Sequence, residues 1–191
     1  ISEWLKDKAA NSKTLSNFNI KRIYNNINLG DFDFIKQEEA QSIINIETKK
    51  KIIVYGAQNP QSKRKGWNIF IKTLAELDKS KYFLLIFGNF WSQKTLDDIG
   101  IEYKSVGFIN DNRLLNAIYC SGDCFVASSI QEAFGKTWAE AMACQTPIIC
   151  FDKTPASEII DHKINGYIVK NFSSNELKDG IEWVCEEIEK K

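Results

Sequence analysis

The segment "QEAFGKTWAEAMACQTPIICFD", residues 131–152, sets two glutamates, Glu132 and Glu140, eight apart around a Phe134–Gly135 step. Such a pair offers three chemistries: general acid with general base, a metal site, or two separate contacts to one ligand. A helix beginning near Gly135 sorts them. Glu132 then sits in the loop ahead of the helix and Glu140 in its second turn. The free N–H groups of Gly135, Lys136 and Thr137 point out of the helix start, where hydrogen bonds and the helix dipole both favour an anion. The Thr137 hydroxyl can add to them. Carboxylates on either side of an anion site fit a shared acid–base pair poorly. They fit better as acceptors for hydroxyl groups flanking a phosphate, and a nucleotide-sugar has that layout.

Taken alone, an E-x7-E pair is more often a solvated helix residue plus a capping acid. Ala139, Ala141, Met142 and Ala143 leave little polar face on a helix lying between two apolar runs, which argues against simple solvation of Glu140. The basic run "KRK" (63–65) likewise reads alone as a solvated turn. Its place just after the apolar run "KIIVY" (51–55) favours a ligand contact.

The elements that must position these residues are legible as runs. "KIIVY", "YFLLIF" (82–87), "DCFVAS" (123–128) and "PIICFD" (147–152) are continuous and apolar, as expected for strands buried on both faces. "YKSV" (103–106) and "GYIV" (166–169) are weaker candidates. Between the runs lie "WNIFIKTLAELDKS", "DNRLLNAIYCSG", "GKTWAEAMAC" and "PASEIIDH", with apolar residues at helical spacing, and "SSNELKDGIEWVCEEIEKK" closes the chain behind a serine cap. This alternation from residue 51 onward predicts an α/β fold with a Rossmann-like, doubly wound parallel sheet. Ligands of such sheets bind outside the carboxyl ends of the strands. Residues 1–48 differ. They are polar and Asn-rich, with no clear strand before "IKRIYNNI", and read as a lead-in packed on the edge of a domain spanning 49–191.

Composition narrows the function. With Lys plus Arg and Asp plus Glu at 25 each, no net field draws in nucleic acid or membrane lipid. No apolar run approaches the roughly 18 residues that span a bilayer. The opening "ISEWLKDKAANSK" is too polar for a signal peptide. Five cysteines, an odd number lying mostly in apolar or helical segments, read as reduced thiols of a cytoplasmic protein. One histidine and no second cysteine pair speak against zinc. No G-x-G-x-x-G follows "KIIVY", which disfavours a dinucleotide oxidoreductase.

"SSIQEAFGKTWAEAMACQTPIICFD" resembles the E-x7-E region of family-four glycosyltransferases of the GT-B fold, with Ser129, Glu132, Phe134, Gly135, Glu140, Ala141, Met142, Ala143 and Pro147 in place. "RKG" (64–66), "IFG" (86–88), "VGFI" (106–109) and "EIIDHKINGYIV" (158–169) match at the right distances, and "IYNNINLGDF" is similar to the segment joining the two lobes of that fold. The resemblance covers nearly the whole chain and implies the carboxyl-terminal, donor-binding lobe of a retaining enzyme. It gives Glu132 the donor-sugar hydroxyls, as the catalytic candidate, and Glu140 the ribose hydroxyls. The N–H groups of Phe134, Gly135 and Lys136 take sugar and phosphate, Lys65–Gly66 the diphosphate, and Arg64, Thr137, Phe108 and Ile109 complete the donor set. No metal or other cofactor is implied. The D-x-D triplet "DFD" (31–33) lies in the linker and is expected to hold none.

Three residues depart from the family pattern. Ala57 stands where many members carry a second diphosphate arginine, a role Arg64 could take. Gln145 and Asn26 stand where glycine is usual; a left-handed Gln145 costs about 1 kcal/mol, and Asn tolerates positive φ well. The chain also holds only one lobe's worth of strands. A piece of a longer enzyme is the simplest account, with a glycan or lipid-linked acceptor reached through the other lobe and the full enzyme working in the cytoplasm or against the inner membrane surface. Two further readings stay open: a nucleotide-sugar-binding module without turnover, and a GT-B-fold nucleotide-sugar epimerase. His162, the only histidine, reads as a helix-ending residue more than a base.

Overall fold

A computed structural model describes residues 2–188. Six strands form one parallel sheet: β1 (Lys51–Gly56), β2 (Tyr82–Phe87), β3 (Glu102–Ser105), β4 (Cys124–Ala127), β5 (Ile148–Phe151) and β6 (Gly166–Val169). Their spatial order is β3-β2-β1-β4-β5-β6, every neighbouring pair parallel. The chain winds outward from β1 to β3, returns, and winds the other way from β4. Its switch point therefore lies between β1 and β4, where sheets of this kind open a crevice at their carboxyl edge.

The continuous apolar runs follow from burial on both faces. Successive side chains of a strand point to opposite sides. Ile52, Val54, Phe83, Leu85, Phe125 and Ile148 join one core, while Ile53, Tyr55, Leu84, Ile86, Val126 and Ile149 join the other. The first core is covered by α2 (Gln37–Ile43), α5 (Asn112–Ser121) and α6 (Lys136–Ala143). The second is covered by α3 (Trp67–Glu76) and α7 (Ser174–Glu187), with Leu96 of α4 (Gln93–Ile99) adding to it. Ser173 caps α7 by accepting from the Glu176 N–H, as its sequence suggests.

Several local expectations are corrected. "IKRIYNNI" forms no strand, and Asn26 is not left-handed. "PASEIIDH" gives only a short 3-10 turn, Pro155–Glu158, because Pro155 suits a first turn but Ile159 at φ −123° and ψ −4° has left helical geometry. Part of the lead-in joins the core: α2 packs on α5, and Phe32, Ala40, Ile44 and Ile46 are buried with it. The first helix, α1 (Glu3–Ala10), buries none of its own residues and sits beside the 155–158 turn. Gln145 does end α6 with φ 58°, the left-handed geometry that glycine would adopt freely.

Candidate functional site

Two loops meet over the switch point. The first leaves β1 and ends in a 3-10 turn, Lys63–Lys65; the second leaves β4 and runs into α6. Hydrogen bonds stitch them to each other and brace the first loop from within. The Ile130 N–H donates to the Arg64 carbonyl at 2.9 Å, Ser128 Oγ donates to the Lys65 carbonyl at 2.8 Å, and buried Tyr55 Oη reaches the Pro60 and Lys65 carbonyls at 3.0 and 3.1 Å. Gly66, at φ 70°, makes this approach possible, since a Cβ there would stand 1.9 Å from the Ser128 carbonyl oxygen. "RKG" thus owes its glycine to packing against β4, and that packing brings the two basic side chains to the second loop.

There Lys65 Nζ forms an ion pair with Glu132 Oε2, and Arg64 Nη1 lies 3.5 Å from the same oxygen. The Lys65 and Glu132 side chains are only 13% and 15% exposed, whereas that of Arg64 is 55% exposed. The close pair is therefore the one sheltered from screening, and the Arg64 contact contributes little at so open a site.

Beside the pair, α6 opens with Gly135 at φ 88° and no side-chain cap. A Cβ at Gly135 would strike the Trp138 indole at 1.9 Å. The N–H groups of Phe134, Gly135, Lys136 and Thr137 have no acceptor among the described residues. An uncapped helix start with no acid in its first turn carries positive partial charge, and Lys136 adds a full one. A cleft of about 290 Å³ collects these groups: Arg64, Lys65, Glu132, Phe134, Gly135, Lys136 and Thr137 line it, together with Ala57, Gln58, Asn25 and Ala133.

Other residues singled out from the sequence lie elsewhere. Glu140 is 8% exposed on α6 and outside the lining of that cleft; it accepts a hydrogen bond from Tyr119 Oη at 2.9 Å. Burial raises the Glu140 pKa above its ordinary 4.5, while the Tyr119 bond and the Lys136 charge pull it back. Burial, then the Glu140 charge, hold the Tyr119 phenol well above 10, so it remains a donor. Phe108 is half exposed on the loop after β3, and Ile109 packs on the core. His162 accepts from the Ile168 N–H through Nδ1 at 3.0 Å and holds the turn before β6. Asp31 accepts from Asn28 and Asn112, and Asp33 from the Phe34 N–H, so the D-x-D carboxylates stabilise their own loop. No cluster of metal-ligating side chains occurs among the described residues, all five cysteines are buried without a disulfide, and no helix is long and apolar enough to cross a membrane.

Two partners were not read from the sequence. Tyr119 is the clearer: a phenol on an apolar helix face must find a buried acceptor, and Glu140 lies across from it on the neighbouring helix. Ser128 gave no signal beyond its place at the end of a strand.

The model of the glycosyl transferases group 1 family matches residues 36–191. The chain belongs to that family. It is 28% identical over 195 residues to an uncharacterized glycosyltransferase of Methanocaldococcus jannaschii, covering 96% of this chain and 49% of that protein. Among solved structures, sucrose-phosphate synthase of Thermosynechococcus elongatus superposes with a TM-score of 0.81 at 22% identity, over 96% of this chain and 48% of that one. The Anabaena protein HepE, in complex with UDP-glucose, gives 0.73 at 22% identity over 87% and 48%. The chain thus spans about half the length of these relatives, and its sheet is one Rossmann-like lobe of the GT-B fold.

Proposed function

We propose that this chain is the donor-binding half of a retaining glycosyltransferase that moves a sugar from a nucleoside diphosphate to a glycan or lipid-linked acceptor. The observation that carries the reading is the conjunction over the switch point: unpaired N–H groups at an uncapped helix start, beside a sheltered Lys65–Glu132 pair. In the free chain each charge of that pair satisfies the other. A nucleotide-sugar supplies better partners for both, diphosphate oxygens for Lys65 and sugar hydroxyls for Glu132. Lys65, Lys136 and the helix start then stabilise a diphosphate that gains negative charge as the glycosidic bond breaks. The cationic groups already present suit that charge, so in this reading the donor site uses no metal. Glu140, held by Tyr119, takes the ribose hydroxyls on the far side of the phosphates.

Family membership and a relative that binds UDP-glucose favour this reading. The acceptor and any groups acting on it belong to the other lobe, so this half is expected to bind donor without transferring sugar. The whole enzyme fits a cytoplasmic location or the inner membrane surface, where lipid-linked acceptors are found. Calorimetric titration of Glu132→Ala and Glu140→Ala with UDP and with UDP-glucose tests the roles. Glu140→Ala is expected to weaken both ligands by about 1–3 kcal/mol. Glu132→Ala is expected to weaken only UDP-glucose, and to leave UDP unchanged or tighter because Lys65 loses a competitor. Equal weakening of UDP by both variants would remove the sugar contact from Glu132.

A further inference from the structure

The loop that carries Glu132 is held from outside the sheet. Ser2, 2% exposed, caps α1: its Oγ accepts from the Leu5 N–H at 3.1 Å and donates to the Ala133 carbonyl oxygen at 2.8 Å. The start of α1 is fixed in turn by Glu158, whose Oε2 accepts from the Glu3 N–H at 2.9 Å and whose Oε1 accepts from the Trp4 N–H at 2.7 Å. Two carboxylate oxygens on two orphan N–H groups make a firm helix anchor, favoured also by the dipole. The Ser2 bond is the one hydrogen bond that ties the backbone of residues 132–134 to another segment, among the described residues.

Peptide geometry gives that bond a consequence. The chain has no cis peptide among the described residues. In a trans peptide the carbonyl and the following N–H share a plane and point in opposite directions. Fixing the Ala133 oxygen toward Ser2 therefore aims the Phe134 N–H the other way. Ala133 and Phe134 both line the cleft, and the Phe134 N–H has no acceptor among the described residues. We propose that Ser2 is a positioning residue of the donor site: by holding the Ala133 carbonyl, its hydroxyl presents the Phe134 N–H to an oxygen of the bound nucleotide-sugar. Ser2 is not among the cleft's lining residues, so it acts only through the loop. Glu158 supports it by keeping the start of α1 in place.

This inference rests on the donor-site reading, and its test separates the two. Ser2→Ala and Ser2→Thr are titrated with UDP-glucose, alongside amide NMR spectra and melting curves of the unliganded proteins. Ser2→Ala is expected to bind about threefold to tenfold more weakly, the worth of one net hydrogen bond. Ser2→Thr, which keeps both the cap and the hydroxyl, is expected to stay within about twofold of the parent. In Ser2→Ala the Phe134 amide resonance is expected to shift without ligand, and in Ser2→Thr to stay. Parental affinity in Ser2→Ala, or equal loss in both variants, would overturn the assignment. If the parent chain itself bound no UDP-glucose, the donor-site reading would fall. An unmoved Phe134 resonance in Ser2→Ala would then overturn the tether independently.

Discussion

Tyr119→Phe removes one oxygen atom from the centre of the molecule, and its cost should depend on pH in a direction fixed by Glu140. The phenol donates to Glu140 Oε2 at 2.9 Å, between α5 and α6, and Glu140 is 8% exposed. A hydrogen bond to a charged group is worth about 1.5–3 kcal/mol, and one between neutral groups about 0.5–1.5 kcal/mol. Burial already holds the Glu140 pKa above 4.5, and the Tyr119 bond opposes that shift. For a carboxyl whose folded pKa is raised, the associated stability is present below the unfolded pKa and is lost as pH rises through the folded value. Removing the phenol raises the folded pKa further, so the variant loses more at high pH. The expected loss is about 1.5–3 kcal/mol near pH 8, falling to about 0.5–1.5 kcal/mol near pH 4. In a chain of this length the former corresponds to roughly 3–12 °C in Tm. Urea unfolding of both proteins across that range measures it. In the Glu140→Gln background the difference should be small and independent of pH. A loss that is the same at both pH values, or that persists unchanged without the carboxylate, would refute the coupling of these two side chains.

Further outcomes follow from the same geometry. Lys65→Met leaves Glu132 with the exposed Arg64 at 3.5 Å as its one cationic partner among the described residues, and UDP affinity should fall roughly tenfold to a hundredfold, the worth of a charge-assisted contact, by calorimetry. Gln145→Gly relieves the left-handed residue after α6 and should stabilise the chain by about 1 kcal/mol, raising Tm by roughly 2–4 °C in a thermal melt. UDP binding should be unchanged by a chelator, and a requirement for added manganese would show that cations of the chain do not suffice.

The central strands were legible because burial on both faces leaves almost nothing polar in them: "YFLLIF" is a strand over the same residues, Tyr82–Phe87, whereas the edge strand Glu102–Ser105 is polar, half exposed and gave a weaker signal. The doubly wound order was legible because strands and helices alternate. The uncapped start of α6 was legible because Gly135 precedes a run of helix formers. What escaped was non-local. The Lys65–Glu132 pair spans 67 positions and the Ser2–Ala133 bond 131, and neither leaves a mark in local periodicity. Helices α1, α2 and α4 escaped because their sequences are largely polar. α1 depends on Glu158 for its start, and α2 on packing against α5. "PASEIIDH" misled because Ile159 and Ile160 mimic a helical stripe, while only Ile160 is buried.

In the proposed donor site, the cleft between the loops after β1 and β4 holds the diphosphate of a nucleotide-sugar. A crystal of this chain soaked with UDP-glucose in the presence of a chelator tests it most directly. Diphosphate oxygens are expected within hydrogen-bonding distance of Lys65 Nζ and the N–H groups at the start of α6, with the Lys65–Glu132 pair opened and Glu132 on sugar hydroxyls. A nucleotide seated elsewhere on the lobe, or one that leaves the Lys65–Glu132 pair intact and the α6 start unoccupied, would contradict it.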